Sequence, residues 1–252
     1  METFQSRLTK QTFQCNQCIL AAACLALVAV LCPTMTSTLR LWNADYQTAT
    51  GEQQTVTLSD GSSVYLNAAS ALNQNYSPGQ RRIEMLAGEA EFKVSKDKSR
   101  PFIVVADNQE IKALGTDFVV KITSQGIKVS VVESAVQVSQ HGQSGVAPVP
   151  VHTGEQVYIP AGQRPDPIAA MNISHASPWR SNRLIFESEP LAQVVEDINR
   201  YRPGHVFLSP SLGELRVSGV FSIQEIDNLL GVIGKTLPVK SVALAGSYVV
   251  LY

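Results

Sequence analysis

Gly115-Thr116-Asp117 is the one stretch of this sequence whose neighbouring residue types could carry covalent chemistry by themselves. A threonine hydroxyl attacks the carbonyl carbon before it when the intervening peptide is strained, turning an amide into an ester that water then hydrolyses. In that chemistry Gly115 lets the backbone take the strained conformation, Thr116 is the nucleophile and Asp117 the proton acceptor. The plainer alternative is a glycine that lets a strand turn, followed by a threonine that simply suits a strand. Other constellations fail on spacing. The four histidines, His141, His152, His175 and His205, are scattered, without a His-x-x-x-His pair, and no Gly-x-Ser-x-Gly elbow occurs. Gly234-Lys235-Thr236 imitates the end of a phosphate loop, but the position of its first glycine holds Leu229. Cys15-Asn16-Gln17-Cys18 is half of a zinc or redox spacing, with no partner pair and no histidine nearby. The chain is therefore read as no enzyme acting on an external substrate, and neither a cofactor nor a metal is expected.

Charge narrows the partners. With 20 basic and 21 acidic residues, net −1 and no basic cluster, no nucleic-acid footprint is present. All four cysteines (Cys15, Cys18, Cys24 and Cys32) precede residue 33, so the remainder holds no disulfide framework. No charged residue lies between Lys10 and Arg40, and Cys18 to Cys32 is continuously apolar. At 1.5 Å per residue that run spans roughly 22 Å, short of a ~30 Å hydrocarbon core, and the uncharged residues 33–39 supply the rest. Residues 18–39 thus read as a single transmembrane helix, with residues 1–17 a short cytoplasmic tail held inside by Arg7 and Lys10. The bulk of the chain then lies in the periplasm. A cleaved signal peptide and a lipid anchor on Cys24 are the competing readings, but no clean small-x-small site follows the apolar run.

Beyond the apolar segment, residues 50–160 alternate between short strands and tight turns. Asp60-Gly61 between Thr55-Val56-Thr57-Leu58 and Ser63-Val64-Tyr65-Leu66 is a hairpin signal of the type I′ kind. Further strands are expected at 82–86 and 91–94 around Gly88, then at 102–105, 110–113, 118–122, 127–131 and 135–138, with a last pair around Thr153-Gly154. Their length and spacing predict an antiparallel β-sandwich or a solenoid-like stack. Gly88-Glu89 and Arg100-Pro101-Phe102 read as turn and packing devices. Residues 161–178, with Pro165, Pro167 and Pro178, read as a linker.

The period then changes to helical. Leu191, Val194, Val195, Ile198 and Tyr201 form an apolar face, and Ser222-Ile223-Gln224-Glu225 reads as a capping box opening a second helix. With strands at 184–186, 206–208, 215–221 and 248–251, residues 179–252 make a small α+β module. The fold class is mainly β with a C-terminal α+β module. Trp179 beside Arg180 is either a binding anchor or the seal of an interdomain hinge.

These residues carry a resemblance. Leu58 to Asn67 (LSDGSSVYLN), Leu86 to Val94 (LAGEAEFKV), Arg100 to Val104 (RPFIV), Ala113 to Val120 (ALGTDFVV) and Val129 to Val138 resemble, in order, the periplasmic domain of the FecR family of sigma-factor regulators. Trp179, Leu184-Ile185-Phe186, Pro190-Leu191 and Asn199-Arg200-Tyr201 resemble the family's C-terminal segment. Ser134 stands where the family pattern has glycine. The resemblance implies a transmembrane signal transducer regulating an extracytoplasmic-function sigma factor in response to a TonB-dependent outer-membrane receptor of the iron-siderophore type. The receptor's signalling domain would dock on the C-terminal module, with Trp179, Arg180, Phe186, Arg200 and Tyr201 as contact residues. Some relatives cleave themselves at the matching Gly-Thr bond. The family also carries a cytoplasmic anti-sigma domain before its membrane helix; only residues 1–17 stand there here, which puts a direct grip on the sigma factor in doubt. The alternative from another class is a secreted or lipid-anchored, β-rich, adhesin-like envelope protein.

Overall fold

The computed structural model describes residues 41, 43–142, 147–244 and 247–252. The expected cytoplasmic tail, transmembrane helix 18–39 and all four cysteines lie outside them. Among the described residues, no helix is long and apolar enough to cross a membrane. Residues 44–252 form one compact unit.

Its first part is a sandwich of two seven-stranded sheets. In chain order the strands are β1 (46–47), β2 (54–57), β3 (63–66), β4 (71–77), β5 (80–87), β6 (89–93), β7 (102–106), β8 (109–113), β9 (117–123), β10 (126–133), β11 (135–140), β12 (149–152), β13 (155–160) and β14 (169–170). One sheet runs β1-β4-β5-β7-β8-β11-β12 and the other β2-β3-β6-β9-β10-β13-β14. Order within each sheet follows order in the chain, so the sandwich also has the stepwise character of a solenoid. All pairings are antiparallel except β5 with β7, where Arg81 to Met85 run alongside Phe102 to Ala106.

Alternation explains the core. Val64 and Leu66, Ile83 and Met85, Ala90 and Phe92, and Phe118 and Val120 point inward and are fully or almost fully buried. Phe92 stacks on Phe118 at 5.3 Å between ring centroids and lies 6.1 Å from Phe102, tying the two sheets together.

Three local expectations are corrected. The Asp60-Gly61 hairpin pairs as expected, Val56 opposite Val64, but its turn is not type I′. Gly61 has φ +81° whereas Asp60 stays in the ordinary region, because its carboxylate accepts from the Ser62 N–H at 3.1 Å and the Ser62 hydroxyl at 2.6 Å. The strands around Gly88 form no hairpin: β5 and β6 belong to opposite sheets, and the glycine is the corner between them. The strands flanking Thr153-Gly154 likewise lie in different sheets.

Residues 161–178, read as linker, carry β14, a short 3-10 turn at Ile173–His175 and the start of another at Pro178–Ser181. The second part follows: β15 (183–190), α1 (Leu191–Tyr201), β16 (206–208), β17 (216–222), α2 (Ile226–Thr236), β18 (241–243) and β19 (249–251). β15 pairs with β17, while β19 lies between a parallel β16 and an antiparallel β18. Both helices bury their apolar faces in a core of their own, with Leu191, Val194, Ile198, Leu229 and Ile233 all but inaccessible. The capping box does not form. Ser222 closes β17 opposite Arg183, and its hydroxyl accepts from Asn182 Nδ2 at 3.4 Å instead of capping the next helix.

Candidate functional site

Leu114-Gly115-Thr116 is the corner by which the chain leaves β8 in one sheet and enters β9 in the other. Gly115 has φ +132°, and a Cβ there would meet Lys96 Cγ at 2.4 Å, so only glycine fits the bend. Thr116 is 4% exposed, and its carbonyl accepts from the Val94 N–H at 2.9 Å. Among the described residues, the Thr116 hydroxyl and the Asp117 Oδ1 are buried without a hydrogen-bond partner. An uncommitted buried hydroxyl beside an uncommitted carboxylate is costly as architecture and useful as chemistry. Burial first, and the charge of Glu91 second, push the Asp117 carboxyl up to about 6, with Lys93 and Arg180 pulling the other way. The corner thus holds a glycine-only bend, a buried hydroxyl and a buried carboxyl in succession, and no hydrogen bond joins the Thr116 hydroxyl to Asp117.

The second cluster lies on the outward face of the sheet containing β6 and β9. Alternation puts Glu89, Glu91 and Lys93 of β6 on that face, with Asp117, Val119 and Lys121 of β9 beside them. The C-terminal module covers it. Arg180 Nη1 meets Glu91 Oε1 at 2.5 Å, and its guanidinium lies 3.7 Å from the centre of the Tyr65 ring. The Ser177 hydroxyl donates to the other Glu91 oxygen. Lys121 Nζ meets Asp197 Oδ2 at 2.7 Å. Burial works against the Lys121 ammonium, but Asp197 and then Glu89 outweigh it and hold its pKa above the ordinary lysine value. Arg200 Nη2 donates to the Ile122 carbonyl at 2.8 Å, and the Tyr201 hydroxyl donates to Asn67 Oδ1 at 2.8 Å. Burial, chiefly, raises the Tyr201 phenol, so it stays a neutral donor. The buried Asn67 amide in turn donates to Glu89 Oε2 at 2.8 Å.

A family model described as FecR protein matches residues 44–137. Residues 44–137 are a FecR domain. Crystal structures of a "putative anti-sigma factor" from Parabacteroides distasonis ATCC 8503, at 1.65 Å and 2.50 Å resolution, are similar to the chain at 25% identity and TM-score 0.73. Each similarity covers 82% of this chain and 97% of that one. No curated protein matches.

The FecR domain owns the Gly115-Thr116 corner, and it reaches out to most of the residues singled out for partner binding. Trp179, Arg180, Arg200 and Tyr201 all sit against it, with Trp179 3% exposed. Phe186, 4% exposed, belongs to the core of the C-terminal module, where it packs on Phe221 at 6.0 Å, and it borders the same small cavity as Trp179 and Tyr201. Sequence reasoning missed Glu91, Asn67, Lys121 and Asp197. The signal was present in Glu89-Ala90-Glu91-Phe92-Lys93, where charges alternate with apolar residues on a strand whose polar side has to meet something. Ser134 has φ +70°, the conformation that glycine supplies without strain, which accounts for glycine in the family pattern.

Proposed function

We propose that the protein is a single-pass inner-membrane transducer of the FecR type that regulates an extracytoplasmic-function sigma factor in response to a TonB-dependent outer-membrane receptor of iron-siderophore signalling. Residues 18–39 would cross the membrane and the described part would lie in the periplasm. One observation carries the reading: the FecR domain is joined to a module that keeps an open sheet edge beside an uncovered apolar row. Phe207, Val250 and Val242 lie in register across β16, β19 and β18, with Phe207 47% and Val242 42% exposed. Tyr248 stacks on Phe207 at 6.3 Å, and Leu244 beside it is 49% exposed. β18 is an edge strand, which suits addition of a strand from a receptor's signalling domain, with main-chain bonds giving affinity and the apolar row giving choice. Titration of the full chain with receptor signalling domains should give micromolar or tighter binding, weakened at least about tenfold by Phe207→Asp. Absence of binding at micromolar concentration counts against the reading.

A second reading, self-cleavage, rests on the buried, unpartnered Thr116 hydroxyl and Asp117 Oδ1 that follow the glycine-only bend. Thr116 Oγ1 attacks the Gly115 carbonyl carbon while its proton passes to Asp117. The C–N bond breaks as the ester forms, the proton goes to the freed Thr116 amine, and water hydrolyses the ester to a Gly115 carboxylate and the Thr116 hydroxyl. The purified chain should therefore run as two fragments and the Thr116→Ala variant as one. Only ionised Asp117 accepts a proton, and its carboxyl titrates at about 6, so the cleavage rate should climb as pH rises through 6 and level off above it. An intact wild-type band, or a rate flat across that range, removes this activity.

A further inference from the structure

We infer that the C-terminal module is a releasable cover on the FecR domain, held by paired charges across a polar seam, with Lys121–Asp197 as its latch. The two parts have separate apolar cores: one runs through the sandwich from Val56 to Ile159, the other from Leu184 to Leu251, and no residue belongs to both. What joins them is largely polar, around the buried Trp179 and a few apolar neighbours at the cavity edge. Besides Lys121–Asp197 and Arg180–Glu91, Glu196 accepts from the Ser124 N–H and hydroxyl, Gln193 donates to Gln125 at 3.1 Å, and Lys128 lies 3.9 Å from Glu189. A small cavity of about 70 Å³ remains inside the seam, bordered by Glu89, Lys121, Asp197, Tyr201 and Trp179. Trp179 Nε1 and Arg200 Nη1 are buried without hydrogen-bond partners among the described residues, while Arg200 Nε lies 3.6 Å from Asp197 Oδ1.

Each of these features separates a seam from a core. Apolar cores hold their halves together at every contact, whereas charges paired across a seam regain water when it opens, so opening costs little beyond the pairs themselves. Unpartnered buried donors favour the open state further, because each finds water there. The seam also has a hinge: residues 161–178 form no long element, and the 3-10 turn at Pro178–Ser181 joins them to the module. Release would uncover Trp179, Tyr201 and the outward face of β6 and β9, whose first residue is Asp117. The cover thereby sits over the strand that begins at the candidate cleavage corner. The latch is a property of the chain itself; only its release by a receptor domain rests on the function proposed above.

The test uses the full-length chain with Trp42→Phe, leaving Trp179 as the sole indole. Asp197→Lys sets a new cation against both Lys121 and Arg200 at the seam. Acrylamide quenching of Trp179 should rise at least about threefold, and backbone hydrogen exchange of residues 117–123 should quicken at least about tenfold. Exchange of residues 102–113, in the far sheet, should stay as in the parent, showing that the sandwich remains folded. Lys121→Asp combined with Asp197→Lys should restore both readouts. Three results overturn the inference: unchanged quenching and exchange in Asp197→Lys; loss of protection at 102–113 together with 117–123, which would make the two parts one cooperative core; or a charge swap that restores neither readout. None depends on whether a receptor domain binds.

Discussion

Arg81→Leu is expected to destabilise the sandwich by about 3–5 kcal/mol, a large part of the stability of an ordinary domain. Arg81 occupies an inward position on β5, in line with Ile83 and Met85, and its side chain is fully buried. It closes one end of the core. Its Nη1 meets Asp60 Oδ2 at 2.6 Å and donates to the Ser95 carbonyl at 2.9 Å, its Nε donates to the Arg100 carbonyl at 3.0 Å, and the guanidinium lies 5.5 Å from the Phe102 ring centre. Leucine fills part of the space but leaves the Asp60 side chain, 3% exposed, without its cation, and leaves the two carbonyls unpaired. Urea unfolding of both chains measures the difference.

The same pair fixes a pH dependence. Burial raises the Asp60 carboxyl, but hydrogen bonds from Ser62, Arg81 and Tyr76 outweigh it and hold the pKa below the usual value. A depressed folded-state pKa means stability that is present above the unfolded value of about 4 and lost as pH falls through the folded value. In Arg81→Leu the carboxylate keeps its bonds from Ser62 and Tyr76 but loses its cation, so protonation relieves part of the cost. The deficit of the variant should be greatest near neutrality and shrink as pH approaches 3. A deficit constant from pH 7 to pH 3 would show that lost packing, rather than the stranded charge, is responsible.

The second large effect is Gly88→Ala, expected to cost about 3 kcal/mol or more. Two penalties combine. Gly88 has φ +88°, a conformation that costs an alanine about 1–2 kcal/mol. A Cβ there would also fall 2.2 Å from Ser70 Oγ and 2.5 Å from Ser70 Cα, and a backbone atom cannot rotate aside. Ser70 cannot yield cheaply either, since its hydroxyl donates to the Glu89 carbonyl at 3.0 Å and accepts from the Glu89 N–H at 2.9 Å. Gly79→Ala is the control. Nothing lies within 4 Å of its would-be Cβ and its φ is not positive, so its melting temperature should match the parent's.

These two residues also mark how far the sequence could be read. Gly88 was legible as a turn, because a glycine between two apolar alternations has few other uses, but not as a corner between sheets. Whether two adjoining strands pair or part company is decided by what each packs against across the core, and that information is not local. Arg81 was missed for the same reason: the strand was read as beginning at Arg82, and only the end of a closed sandwich gives Arg81 an inward place with Asp60 waiting. The helix from Leu191 to Tyr201 was plain, since its apolar face repeats over three turns and its core is largely made within the module. Gly115, Thr116 and Asp117 stood out as residue types, while the isolation of the Thr116 hydroxyl and the raised Asp117 pKa came from the fold. Trp179, Arg180, Phe186, Arg200 and Tyr201 were read as contacts for a partner protein; in this chain Trp179, Arg180, Arg200 and Tyr201 lie against the outward face of its own FecR domain.

The strand order of the sandwich bears on how the chain acquires its shape. Every strand joins its sheet next to one already made, from β1 and β2 at one end to β12 and β14 at the other, and none has to wait for a distant partner. Leu66 finds Ala90, and Phe92 finds Phe118, across short stretches of chain. A nascent polypeptide emerging amino-end first can therefore set down one tier upon the last, as brickwork rises by courses. Synthesis stopped early would leave a stub ordered up to its latest tier, with a raw sheet edge exposed at the growing end.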